Sequence, residues 1–275
     1  MAKHKTTKIS ESTWRIDEFG MVNAFLCIGE ERNALIDTGC GIGNIKEAAM
    51  SISDKPLSVF LTHSHPDHAG GIYHFTDSPV YMNSLDESLM LWGMRTDNEF
   101  RRMYAETRGI NSFKGDLNEL YSLIPESNPD CTSFRYEKIY DGVVLSLGKR
   151  KFKCIHTPGH TDGSMCFLDE SSRLLFSGDT VNNSIILMRQ PDNDSRLIRI
   201  FHETLLKIKE HEKEFDYLVI GHGYPLLKKD IIDDYLLITS GLLDGRLRGE
   251  YEERGFRKGD VARKGKAELW YQCDS

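Results

Sequence analysis

The sequence predicts an α+β fold in which two β-sheets pack together and carry helices on their outer faces. Two observations lead there. Strand-length apolar runs recur in two blocks separated by a helical stretch, and each block follows the order strands, helix, strand, helix. Two similar halves of that kind can bury their apolar faces only by packing sheet on sheet.

Residues 13–19, 22–28 and 34–37 read as an antiparallel meander, punctuated by Gly20 and by Gly29-Glu30-Glu31-Arg32-Asn33. Residues 42–52 have helical spacing. Residues 57–61 form a buried-strand run that delivers the chain to Thr62 and His63. From 84 to about 123 the periodicity turns helical, with Leu85, Leu89, Trp92, Phe100, Met103 and Tyr104 three or four residues apart, as an insertion in a strand-rich chain. Strands resume over 134–139, turn at Asp141-Gly142, and continue over 143–147, 151–156, 165–168 and 173–176. A helix over 194–211, a strand over 217–220 and a helix over 230–243 follow, and 245–275 is expected to add a final helix and strand.

The 275 residues are 39% hydrophobic and 28% charged, which suits a globular chain, and residues 1–275 are expected to form one domain with 84–123 inserted. The basic start (Lys3, Lys5, Lys8) leads into Ile9-Ser10-Glu11-Ser12 rather than an apolar core, so neither a secretory signal nor a membrane span is expected, and the compartment expected is the cytoplasm. A net charge of −7 disfavours a nucleic-acid surface. Six cysteines (27, 40, 131, 154, 166 and 273) show no CxxC pairing and are expected to be inert buried thiols. Gly39-Cys40-Gly41-Ile42-Gly43 follows a strand but lacks both GxGxxG and GxxxxGK[ST] spacing, which argues against a phosphate-binding loop.

The chemistry concentrates in His63-Ser64-His65-Pro66-Asp67-His68. Imidazole and carboxylate suit zinc, iron or manganese. In an extended segment His63 and His65 point the same way, and Pro66 bends the chain so that Asp67 and His68 approach from another direction. Three further segments each place a ligand type after a predicted strand: Pro158-Gly159-His160, Ser177-Gly178-Asp179 and Gly221-His222-Gly223. Alone, His160 or His222 could be a surface histidine; together they complete a site.

The order HxHxDH, then His, then Asp, then His resembles the metallo-β-lactamase superfamily, and Leu35-Ile36-Asp37-Thr38-Gly39 is similar to its upstream Asp-bearing strand. The resemblance implies a four-layer αββα sandwich with a binuclear site at one edge. It implies that His63, His65 and His160 hold one ion, Asp67, His68 and His222 a second, and that Asp179 bridges them. Asp37 would fix a ligand's orientation through a hydrogen bond. Two divalent ions, zinc first and iron or manganese as alternatives, leave coordination positions open, and a water between them loses its proton near neutral pH. Asp67, besides binding, would orient the hydroxide or carry its proton. No serine or cysteine nucleophile is needed; Ser64 and Ser164 read as loop formers.

An aspartate at 179, where the zinc β-lactamases carry cysteine or serine, points to the hydroxyacylglutathione hydrolase and lactonase branch, acting on a small carboxylic ester, lactone or thioester. Two alternatives are a mononuclear iron oxidoreductase like the persulfide dioxygenases and a phosphodiesterase or ribonuclease of the same superfamily. Substrate choice is assigned to residues 84–123 and 181–194. Met82, just before the first of these, with Met90, Met94, Met103 and Trp92 within it, reads either as part of an apolar lid or of helices packed on the body or on a second copy in a homodimer. Arg189 and Tyr224 are the candidate polar contacts to a small-molecule substrate.

Overall fold

A computed structural model describes residues 2–90, 97–132, 134–188, 195–255 and 257–273. The strands in chain order are β1 (Lys5–Ser10), β2 (Thr13–Glu18), β3 (Val22–Ile28), β4 (Asn33–Ile36), β5 (Leu57–Phe60), β6 (Val80–Met82), β7 (Glu137–Lys138), β8 (Val144–Ser146), β9 (Lys151–His156), β10 (Met165–Asp169), β11 (Leu174–Gly178), β12 (Ser184–Met188), β13 (Tyr217–Ile220), β14 (Leu226–Lys228), β15 (Glu250–Arg254), β16 (Arg257–Lys264) and β17 (Ala267–Cys273). The helices that matter below are α1 (Ile45–Met50), α2 (Pro66–Ala69), α3 (Asn98–Tyr104), α4 (Ile110–Ser112), α5 (Leu117–Tyr121), α6 (Arg196–Glu210) and α7 (Ile231–Leu243).

β1 to β7 form one sheet in sequence order, antiparallel through β4 and parallel beyond it. The second sheet runs β14-β13-β11-β10-β9-β8. Alternation along each strand assigns its two faces. Phe25 and Cys27 of β3, Ala34 and Ile36 of β4, and Phe60 meet Phe152, Cys154, Phe167, Phe176 and Val219 of the second sheet. The neighbours on the same strands, Ala24, Leu26 and Leu35, face the opposite way onto Ile45 and Ala49 of α1. On the far side, Cys166, Leu168 and Leu175 face Phe201, Leu205 and Ile208 of α6 and Tyr235 and Ile238 of α7. These three interfaces make the four-layer αββα sandwich. Each fully buried aromatic in its centre contributes on the order of 1.5–3 kcal/mol. α6 earns its place by burying Ile198, Phe201, Leu205 and Ile208 at helical spacing while its lysines stay outside.

The structure departs from expectation in several places, and β6, β12 and β14 form where no strand was expected. The polar N-terminus is an edge strand, β1, pairing with β2 (Lys5 opposite Asp17); few of its side chains are buried, so it carries no apolar signature. Residues 245–273 form no helix. β15, β16 and β17 join β12 in a third, four-stranded sheet whose core is Val261, Trp270 and Cys273. Residues 134–139 shrink to the two-residue β7. The insertion is helical, but a π-helical turn over Ala105–Gly109 interrupts it. Phe100, Tyr104, Ala105, Leu117 and Leu120 pack on Phe19, Met21, Cys40 and Ile42 of the body.

Candidate metal centre

Every ligand-bearing loop leaves a strand at the same edge of the sandwich. β5 leads to His63, β9 to His160, β11 to Asp179 and β13 to His222. Asp67 and His68 lie on α2, which starts at Pro66, where the fixed φ suits a first helical turn. Gly221 is required for closeness: a Cβ there would stand 2.5 Å from His68 Cε1 and 2.9 Å from Asp179 Oδ1.

All seven sequence-predicted ligands converge. Three ligand groups have their atoms within 4.8 Å of one another: His63, His65 and His160; His63, His68 and Asp179; Asp67, His68 and His222. His65 Nδ1 lies 3.1 Å from His63 Nε2 and 2.9 Å from His160 Nε2. His222 Nε2 lies 3.3 Å from Asp67 Oδ2 and 3.2 Å from Asp179 Oδ2, while Asp179 also approaches His68 Nε2 at 3.6 Å and His160 Nε2 at 3.9 Å. Asp179 is thus the residue that reaches both imidazole groups.

The outward ring nitrogens of His63, His68, His160 and His222 are engaged. His160 Nδ1 donates to the Ile186 carbonyl (3.0 Å) and His222 Nδ1 to the Met21 carbonyl (2.9 Å). His68 Nδ1 bonds Asp37 Oδ2 (2.9 Å). Thr62 Oγ1 spends its proton on Asp37 Oδ2 (2.8 Å) and therefore accepts from His63 Nδ1 (3.0 Å). These bonds assign the tautomers and turn lone pairs of His63 and His160 inward. Among the three inward nitrogens of His63, His65 and His160, one proton at most can be shared, so at least two lone pairs face each other. A cation resolves that arrangement, and nitrogen-rich donors with one carboxylate suit a borderline divalent ion such as zinc.

The electrostatics divide the centre. Burial, with the neighbouring imidazoles, holds His63 well below the usual histidine range and His65 down to about 3. Burial also opposes charge on His68 and His222, but Asp179 and Asp67 outweigh it, holding His68 well above the usual range and pushing His222 up to about 9. Burial likewise works against ionised Asp67 and Asp179, yet the facing imidazoles keep both well below the ordinary carboxylate value.

Asp37 stands where the sequence put it, buried beneath the ligands at φ 62°, with Oδ1 accepting from Thr62 N at 2.8 Å as well. Such a backbone conformation costs a non-glycine residue energy and persists only where contacts hold it. Arg189 lies outside the described residues, as do Trp92 and Met94. Tyr224 is 75% exposed on the loop after His222. Met82 and Met90 do not line a lid: both are buried in the core behind the first sheet, where unbranched side chains fill gaps between β-strands and helices. The glycine loop wraps the buried carboxyl group of Glu18. Glu18 accepts from the backbone N–H groups of Cys40 (2.6 Å), Gly41 (3.0 Å) and Ile42 (2.9 Å), and Gly39 and Gly41 have positive φ. All six cysteines are free and buried.

Two contributors are absent from the sequence reading. Asp86, buried at the start of the insertion, accepts from Ser64 N (3.1 Å), Thr161 Oγ1 (2.8 Å) and Gly163 N (2.7 Å), so it ties the His63–His65 loop to the His160 loop. Tyr104 places its hydroxyl 2.6 Å from Asp67 Oδ2. Neither sits in a recognisable motif. Among the described residues no helix is long and apolar enough to cross a membrane.

The human acyl-coenzyme A thioesterase MBLAC2 is 27% identical over 191 residues, covering 60% of this chain and 60% of that protein. The hydroxyacylglutathione hydrolase of Francisella tularensis is 28% identical over 151 residues, covering 55% of this chain and 43% of that protein. The chain therefore spans roughly half of the length of these relatives. Among solved structures, the sec-alkylsulfatase Pisa1 from Pseudomonas sp. superimposes with a TM-score of 0.64 at 15% identity, over 88% of this chain and 42% of that one. The family description "metallo-beta-lactamase superfamily" matches residues 17–223. The chain belongs to the metallo-β-lactamase superfamily.

Proposed function

We propose that the chain is a hydrolase that uses two divalent metal ions to cleave a small thioester. The observation that carries this reading is the pair of ligand groups joined through Asp179, whose carboxylate lies 3.9 Å from His160 and 3.2 Å from His222. His63, His65 and His160 would hold one ion, Asp67, His68 and His222 the other, and Asp179 both. Bound there, two zinc ions (or iron or manganese) would activate a water to hydroxide near neutral pH and polarise the scissile carbonyl.

The chain's own residues then do the rest. The Ile186 and Met21 carbonyls, Thr62 and Asp37 fix the imidazole rings, so binding a cation requires little reordering. Asp67, which faces His222 and accepts from the Tyr104 hydroxyl, is the group we assign to hold and pass a proton. Tyr224, on the exposed loop beside His222, is assigned to substrate contact. A thioester is preferred over the ester and lactone because an acyl-coenzyme A thioesterase and a hydroxyacylglutathione hydrolase are among the relatives. We read residues 1–275 as one domain acting on a small molecule in the cytoplasm.

The test is a panel of acyl-thioesters, carboxylic esters, lactones, phosphodiesters and β-lactams, offered to protein of measured metal content. Thiol release from the thioesters that is abolished by a chelator and restored by added zinc is the expected result. Persulfide-dependent oxygen uptake without hydrolysis of any panel member would replace this reading with the iron oxidoreductase one.

A further inference from the structure

Helix α3 of the insertion reaches the metal centre at two points, and both grip one short turn of chain. Tyr104, the last residue of α3, is buried with its hydroxyl 2.6 Å from Asp67 Oδ2. Three residues earlier, on the same helix face, the fully buried Arg101 donates from Nη2 to the Gly70 carbonyl at 2.8 Å. α2 and the glycine that follows it are therefore held from one helix at both ends.

The direction of the Tyr104 bond is fixed by its chemistry, since a carboxylate only accepts and a phenol has one proton to give. Its length is that of a charge-assisted O–H···O bond. The oxygen it engages is the one that faces His222 Nε2 at 3.3 Å. The ring is itself constrained, with Phe100 5.3 Å away on one side and the Arg108 guanidinium 5.7 Å from its centroid. Immediately after Tyr104 the backbone widens into the π-helical turn, a geometry that recurs at functional sites. A phenylalanine would serve packing equally well; the hydroxyl is what packing does not need.

We propose that Tyr104 is a positioning residue for Asp67, through which the insertion fixes the carboxylate and aims Oδ2 at the ion held with His68 and His222. The proposal rests on the two-ion reading above. Helix α3 then acts as a clamp on one half of the centre.

The experiment is a zinc titration of the full chain against a competing chelator, comparing wild type with Tyr104→Phe, together with thioester kinetics. Wild type is expected to take two ions. In Tyr104→Phe one dissociation constant is expected to stay unchanged and the other to rise by about 10–100-fold, the usual cost of losing a partner behind a metal ligand. On the thioester kcat should fall with KM within about twofold, the pattern of an interaction that does not bind ground-state substrate. Ile110→Ala, exposed on the same insertion, should match wild type. Amide exchange over residues 98–109 of wild type should slow on zinc loading, and that measurement decides the matter if Tyr104→Phe fails to fold. Unchanged constants in Tyr104→Phe, or unchanged exchange on loading, overturn the proposal and leave the two-ion reading standing. A wild type that takes one ion overturns both.

Discussion

The two halves of the metal centre solve the same problem with different materials. In one, the rings of His63, His65 and His160 turn nitrogens toward one another, and His63 and His160 send a proton outward to Thr62 and a backbone carbonyl. In the other, His68 and His222 face the carboxylates of Asp67 and Asp179 and hold their protons strongly when no cation replaces them. The first half is a set of lone pairs awaiting a cation; the second is a pair of negative charges already neutralised by protons. Loading the second half must therefore release protons, and loading the first need not.

Asp179 joins the halves, so its removal should have the largest effect. Asp179→Ala should cost several kcal/mol of transition-state stabilisation, roughly a hundredfold to a thousandfold in kcat/KM at about 1.4 kcal/mol per tenfold, with both ions weakened. Steady-state thioester kinetics with metal analysis measures this; loss of one ion alone would break the joined picture. Asp37→Asn comes next, because Asp37 orients His68 directly and His63 through Thr62. It should cost about 10–100-fold in metal affinity, spread over both ions. Asp86→Asn should be milder and one-sided, at about tenfold, because Asp86 braces only the loops of His63, His65 and His160.

The halves should also respond to pH in opposite directions in the metal-free chain. His222, at about 9 folded against 6.5 unfolded, binds a proton more tightly when folded. Its stabilisation is complete below about pH 6.5 and disappears as pH rises through about 9. His65, at about 3 folded, binds its proton less tightly; its contribution is complete above about pH 6.5 and disappears as pH falls toward 3. Thermal melts of chelator-treated protein should show both declines, and zinc should remove the alkaline one by taking the proton's place. A metal-free Tm that keeps rising from pH 6.5 to 9 would contradict the assignment of the second half. The smallest effect is expected at Tyr224: truncation to alanine should change stability by no more than the usual surface range, about 0.5 kcal/mol, and raise KM alone.

The comparison also shows what a sequence can carry. His63, His65, Asp67 and His68 were legible because four candidate ligands crowd into six residues, and His160, Asp179 and His222 because each follows an apolar strand run. The groups that aim them were not legible. The carbonyls of Met21 and Ile186 have no side-chain identity, and the first lies 201 residues from the histidine it holds. Asp86 and Tyr104 reach the centre through packing of the insertion, which no local pattern encodes. In the fold, strands with one buried face or two were readable by alternation, whereas β1 and β15 have no fully buried residue. The charged ladder of the C-terminal sheet, with Arg254 and Arg263 paired to Glu268 across the strands, mimics the composition of a solvated helix.

The central claim is that two ions sit in joined sites and act together. The direct measurement is thioester hydrolysis followed as zinc is added stepwise to metal-free protein, with bound zinc counted per chain at each point. Binding is expected to saturate at two ions per chain, with hydrolysis reaching its maximum only as the second site fills; full activity at one ion per chain would contradict joint action of two ions.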